Sequence, residues 1–333
     1  MIDVCKDACD LASWPARERI RALKRIIPRR KVEGVLQNCA LADRGCRRLP
    51  GWFLVWFVVA LGLFCRDSYR QVFRWLAPYR RWGTPGRSTL CEARRRLGVG
   101  VLRRLYEGVV ELLGRPETPG AFYRGMRLMA IDGFVVDLPD TEKNERAFGR
   151  PGSGRAPQRP GSGEKHRLLT TLWDENVHPA ETLIVPYHER WEEELAIDEI
   201  KTHQRERPVL RSETPRGVVQ EIYGLLLAHD LVRSLMQQAA AGQQIDPDRL
   251  SFTNTLKILR CRLPECPRSQ RGRRRWYRDL IDEISEEIIE PRRNRINPRV
   301  IKKKMSRWKK KQPEHRRYPQ PHKEFREAVV MLN

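Results

Sequence analysis

The run Tyr187-His-Glu-Arg190-Trp-Glu-Glu-Glu194-Leu-Ala-Ile-Asp-Glu-Ile-Lys201 decides how the rest of the chain is read. Tyr187, Arg190, Glu194 and Lys201 stand at offsets of 0, 3, 7 and 14. At about 100° per residue, a continuous helix would gather all four into a stripe about 60° wide. A carboxylate with two cations and a phenol on one face can hold a metal ion and anchor phosphate oxygens. The same spacings also occur in an ordinary helix laced with ion pairs. Spacing alone leaves both readings open.

The segments on either side define the surroundings of this run. Upstream, His178-Pro179 to Val185 starts a helix that Pro186 interrupts or kinks. Residues 187–204 are then expected to form one charged helix. His166 to Leu172 reads as a strand. Residues 149–163, GRPGSGRAPQRPGSG, contain RPGSG twice and are Gly, Pro or Ser at ten of fifteen positions, the composition of a linker. Before it, Arg127 to Asp132 and Phe134 to Leu138 read as strand, bend at Gly133, strand. Downstream, Thr214-Pro215 is a cap and first turn for a long apolar helix from Val218 to Ala240, and Ser251 to Cys261 is a further helix.

Residues 1–115 read as helical. Arg17 to Ile27 is basic and amphipathic, and Gly51 to Cys65 is a buried apolar helix. Its apolar run, Trp52 to Cys65, is 14 residues, too short for the roughly 20 that a membrane span needs. Asp67-Ser68 caps a helix with Tyr69, Val72, Phe73 and Leu76 on one stripe. After the break Trp82-Gly-Thr-Pro-Gly86, Thr89 and Glu92 have capping-box spacing for a helix bearing Arg94, Arg95 and Arg96. Two helices around a Gly/Pro turn, the second basic, fit a helix-turn-helix with those arginines on DNA, and equally a solvated basic face.

The chain has 333 residues, with 65 Lys and Arg against 42 Asp and Glu, a net charge of +23. That balance excludes an ordinary acidic metabolic enzyme and points to nucleic acid or another anionic surface. Hydrophobic content of 40% is enough for a core. From residue 251 onward, 24 Lys and Arg face 10 Asp and Glu. There Arg271-Gly-Arg273-Arg274-Arg275-Trp-Tyr-Arg278 and Lys302-Lys303-Lys304-Met-Ser-Arg-Trp-Lys309-Lys310-Lys311 interleave cations with aromatics, suited to phosphates and to base stacking; a solvated basic tail is the other reading. The eight cysteines form no CxxC pair. Reduced, mostly buried thiols are expected, with a zinc site at Cys5/Cys9 or Cys261/Cys266 the lesser alternative. The N-terminus has no basic-then-apolar signal layout, so a cytoplasmic, nucleoid-associated protein is expected.

The pattern Tyr-x2-Arg-x3-Glu-x6-Lys resembles the signature of bacterial insertion-sequence transposases of the insertion sequence four group. The likeness continues through HRLLTTLWDENVHPAETLIVPYHERWEEELAIDEIKTHQ, LRSETPRGVVQEIYGLLLAHDLVRSLM and NPRVIKKKMSRWKKK. It also covers SYRQVFRWL and STLCEARRRLG in the N-terminal part. The resemblance implies an α+β, mostly helical chain. Residues 1–115 would be a helical, DNA-binding N-terminal domain, 116–240 an RNase H-like core, and 241–333 a helical, strongly basic C-terminal region. It implies two Mg2+ or Mn2+ ions on an Asp, Asp, Glu triad, with DNA hydrolysed and joined at transposon ends. Asp132, in Asp132-Gly133 before Pro139-Asp140-Thr141, matches the first carboxylate and Glu194 the third. Tyr187, Arg190 and Lys201 would hold the backbone beside the cut bond. Terminal inverted repeats and target DNA are the implied partners, with a homo-oligomer or a mixed oligomer with a full-length transposase, and no membrane.

The departure from the family is in the middle. Asp132 and Glu194 are 62 positions apart, and the family's second Asp, in an Asp-Arg motif, is missing. Three strands, two helices and their loops need roughly 60 residues before the helix bearing the Glu begins. The linker and that helix already occupy about half of the interval. An internal deletion near 150–165, leaving a truncated core with a reduced sheet, is therefore expected. Asp137, Asp174 and Glu175 are the substitute carboxylates available. Two functions follow: a transposase whose triad is incomplete and which is therefore inactive, or a non-catalytic DNA-binding remnant able to inhibit a full-length transposase. A decayed product without a role is the third reading.

Overall fold

The computed structural model describes residues 27–39, 49–76, 83–149, 170–267 and 269–290. The described part is mostly helical, with one two-stranded sheet. The chain divides into two compact units, 1–150 with 193–289, and 151–192 with 290–333.

In the first unit, helices α1 (Arg29–Asn38), α2 (Gly51–Leu63), α3 (Tyr69–Leu76), α4 (Arg87–Leu97) and α5 (Val99–Val109) come first in sequence. They pack with α9 (Pro215–Gln243), α10 (Phe252–Arg262) and α11 (Gln270–Ser285), and one apolar core runs through residues 27–109 and 227–284. α2 is apolar all round, and nearly every residue in it is buried, as a helix without a polar face requires. α9 is its main neighbour, and α5, α10 and α11 also pack on α9. Where α2 and α9 meet, both contribute glycine. A Cβ on Gly62 would stand 2.2 Å from the Gly224 carbonyl oxygen, and one on Gly224 would stand 2.7 Å from that of Val58. The helices therefore touch backbone to backbone.

Local side-chain caps explain the starts of five helices. Ser68 Oγ accepts from Gln71 N at 3.2 Å, and Asp67 accepts from Trp75 Nε1 at 2.7 Å. Thr214 Oγ1 accepts from Gly217 N, with Pro215 in the first turn. Ser251 and Ser269 cap α10 and α11 in the same way. The Thr89–Glu92 box is not used. Gly86, in extended conformation, already ends the Gly/Pro turn, so α4 starts at Arg87 without a side-chain cap.

The expected strands are absent or displaced. β1 (Phe122–Tyr123) and β2 (Met126–Arg127) form an antiparallel hairpin, pairing Phe122 with Arg127 and Tyr123 with Met126. Its loop, Arg124-Gly125, has positive φ at both positions (47° and 79°), as a primed two-residue turn demands. Residues 128–136 then carry no regular structure. Asp137 makes an isolated parallel bridge to Val209, and Leu210 N donates to Asp137 O at 3.0 Å. The strands expected over 127–132 and 134–138 thus reduce to Arg127 and Asp137. A strand is held by its neighbours, and among the described residues no neighbouring strand lies beside 128–136. Val136 and Leu138 pack on a small cluster of Cys65, Leu210, Val218 and Leu225. Ile131 is 98% exposed and Val135 70%. Thr141 then caps α6 (Glu142–Phe148), and the buried Asn144 donates through Nδ2 to Pro139 O at 3.1 Å.

In the second unit, α7 (Ala180–His188) runs through Pro186 instead of stopping at it. Residues 170–172 form no strand, and Trp173 is 85% exposed. Residues 166–169 lie outside the described residues, as do 150–163 of the linker-like stretch and most of Arg17 to Ile27. The division between the units falls inside α8 (Trp191–Asp198), which continues as a π-helix over Glu199–Gln204. Among the described residues no helix is long and apolar enough to cross a membrane.

Candidate catalytic carboxylates and nucleic-acid interface

The single helix expected over 187–204 is three pieces. Tyr187 ends α7, Glu189 and Arg190 form a turn, Glu194 lies in α8, and Lys201 lies in the π-helix. The angular stripe assumed an unbroken helix of 3.6 residues per turn. A break before Glu194 and a wider turn before Lys201 both alter it. Tyr187 and Arg190 do pair, the guanidinium carbon lying 5.8 Å from the phenol ring centroid. Lys201 Nζ lies 6.0 Å from the ring centroid of Phe134, two residues after Asp132.

The π-helix is held firmly. Glu199 accepts from His229 Nε2 at 2.8 Å and from Arg233 Nε at 2.9 Å, and Arg233 also reaches Asp248 at 3.0 Å. Gln204, fully buried, donates through Nε2 to Gly62 O and Leu225 O at 3.1 and 2.8 Å. Sequence reading missed Glu199, His229 and Arg233. The spacing of His229 and Arg233, one turn apart on the long helix, was the available signal.

Asp132 is exposed, and its Oδ1 accepts from the N–H of Gly133 at 2.7 Å. Glu194 is half-buried. Asp174 Oδ1 is turned to its own loop, accepting from Asn176 N and Val177 N at 3.0 and 3.2 Å. Among the described residues, no three His, Cys, Asp or Glu side chains come together at metal-holding spacing. A close pair of divalent ions needs bridging carboxylates to offset their repulsion. The described residues do not fit the two Mg2+ or Mn2+ ions that the resemblance implies. Among the described residues the cysteines make no zinc site, and Cys5 and Cys9 lie outside the described residues. Cys65 and Cys266 are buried, but Cys261 is exposed. Burial pushes the Cys65 thiol up to about 11, which leaves it protonated and inert.

The basic residues divide between core and surface. Arg94 is turned inward and withdrawn from DNA. It donates through Nε to Gln220 Oε1 at 3.0 Å, and through Nη2 to Ser212 Oγ and Gly217 O at 2.7 and 2.8 Å; Nη1 meets the Tyr69 hydroxyl. Arg95 and Arg96 are exposed, and Arg96 donates to Leu49 O. On α11, Arg274 and Arg275 are exposed and Arg273 is half-buried, its pKa lowered by partial desolvation. Trp276 and Tyr277 are not available for base stacking. Both are buried, Trp276 donating to Arg262 O at 3.0 Å and Tyr277 to Gln238 Oε1 at 2.7 Å. Lys302, Lys303, Lys304, Lys309, Lys310 and Lys311 lie outside the described residues.

Comparison with known proteins accounts for the helical part. Residues 17–107, which include α1 to α4 and most of α5, match the model of the insertion element 4 transposase N-terminal domain. The chain is 32% identical over 200 residues to the transposase InsG of insertion sequence element IS4 from Escherichia coli (strain K12). The match covers 58% of this chain, which spans 45% of that relative's length. No solved structure matches. Residues 17–107 are thus similar to the N-terminal domain of insertion element 4 transposases, and the chain spans less than half the length of the transposase it resembles.

Proposed function

We propose that this chain is a shortened insertion sequence four transposase that binds DNA and does not cut it. The observation that carries the reading is the state of residues 128–136. Their sequence resembles a core strand carrying the family's first catalytic Asp, yet among the described residues they pair with no strand, and Ile131 and Val135 stand in solvent. Burying an Ile side chain is worth about 1.5–3 kcal/mol, so such a sequence calls for a sheet that the described residues do not supply. The gap of 62 positions between Asp132 and Glu194 and the 45% coverage of the relative agree with a deletion near 150–165.

In this reading residues 1–115 recognise transposon ends, 116–240 is the remainder of an RNase H-like core, and 241–333 grips DNA through charge. Asp132 and Glu194 remain from the triad, with Tyr187, Arg190 and Lys201 as former backbone holders. The partners are terminal inverted repeats, target DNA and a full-length transposase, with which mixed oligomers form on the nucleoid. The chain then competes for ends and inhibits transposition.

The test is binding and nicking by the full chain. Duplex binding should weaken by about 10³–10⁵-fold between 50 and 200 mM salt if six to ten phosphates are contacted. With Mg2+ or Mn2+, plasmid nicking should be the same for the wild type and Glu194→Gln. Metal-dependent nicking that Glu194→Gln abolishes would overturn the inactive reading, and failure to bind any duplex would overturn the DNA reading.

A further inference from the structure

The arginines of α11 are sorted by face. At about 100° per residue, Arg271, Arg274, Arg275 and Arg278 fall within an arc of about 100°. Trp276, Tyr277, Leu280 and Ile284, all buried, lie on the opposite side and fix the rotation of the helix. All four arginines are exposed. A groove runs along them, lined also by Ser269 and Asp279. Asp279 meets Arg275 at 3.7 Å and Arg278 at 4.0 Å, long surface pairs that yield readily to a better anion. Among the described residues Arg271 and Arg274 meet no carboxylate.

We infer that this face of α11 docks the sugar-phosphate backbone of duplex DNA, with Arg271, Arg274, Arg275 and Arg278 each on phosphate oxygens. The proposal rests on the DNA-binding reading above and gives it a surface. Seven residues of helix rise about 10 Å, about three phosphate-to-phosphate steps and so about four phosphates on one strand. Guanidinium groups suit phosphate oxygens geometrically as well as by charge. With Trp276 and Tyr277 buried, the face offers no ring to a base. Recognition here is therefore of backbone charge and is indifferent to sequence.

The experiment compares the full wild-type chain with R271Q/R274Q/R275Q/R278Q on a duplex of arbitrary sequence. A control, R124Q/K143Q/R146Q/R216Q, removes the same charge from exposed positions within 116–240. Each lost phosphate contact reduces the slope of log affinity on log salt by about 0.9. The four-arginine variant should therefore lose a slope of about 3.6. Between 50 and 200 mM salt the wild type should then weaken about 150-fold more than the variant. The control should keep the wild-type slope, and all three proteins should keep the same circular dichroism and Tm. An unchanged slope in a folded variant, or an equal loss in the control, overturns the proposal and leaves the DNA-binding reading in place. Absence of wild-type binding overturns both.

Discussion

The helical bundle and residues 128–136 are built from equally apolar sequence and end in opposite states. In the bundle, Phe53, Leu54, Phe57, Leu231 and Leu235 are sealed from water. In 128–136, Met129, Ile131 and Val135 lie open to it. A helix closes its backbone hydrogen bonds within its own chain and needs only an apolar neighbour. A strand needs another strand for both. Removing the middle of a mixed domain therefore spares its helices and leaves its strands without partners. The matched N-terminal domain and the long α9 are both helical, the kind of structure such a removal would spare.

Five substitutions sharpen this contrast. The largest effect belongs to Gly62→Val, because the added atoms enter the backbone of α9 and neither helix can shift without opening the core. We expect a loss of about 4 kcal/mol or more in chemical denaturation. Arg94→Ala comes next, at about 3 kcal/mol, since it leaves Gln220, Ser212 and the Gly217 carbonyl without their buried donor.

Asp230 is third. Burial, followed by repulsion from Glu111, raises its pKa to about 6. The folded state thus prefers the neutral acid, and the associated stability is present below pH 4 and lost as pH rises through 6. Asp230→Asn should stabilise the protein at pH 7 and flatten the decline between pH 4 and 6. The gain should be about 1–2 kcal/mol, the full linkage value being reduced because the group is partly solvated. The smallest effect is expected for Ile131→Ser and Val135→Ser, each within about 0.5 kcal/mol, because neither side chain is buried. A loss of 2 kcal/mol at either position would mean that the segment is packed.

What could be read in advance was the local part. The Ser68, Thr214 and Ser251 caps and the apolar runs of α2 and α9 are signals within one segment, and they hold. The strands over 127–138 were misread because pairing depends on residues far along the chain. Arg94 was placed on DNA because it sits in a basic triplet. Yet it shares the stripe of Leu90 and Leu97, which are buried on the same helix and mark the inward face. Trp276 and Tyr277 carry the same lesson through Leu280 and Ile284. The stripe of Tyr187, Arg190, Glu194 and Lys201 required one regular helix. The break at Glu189–Arg190 and the π-helix depend on tertiary contacts, such as those of Glu199 and Gln204, that no periodicity reports.

Hydrogen–deuterium exchange on the full chain tests the contrast most directly. Amides of residues 129–136 should exchange at close to the unprotected rate, while those of 218–240 in α9 should be protected up to the free energy of global unfolding. Protection of 129–136 comparable to that of 218–240 would show the segment paired in a sheet and contradict the account.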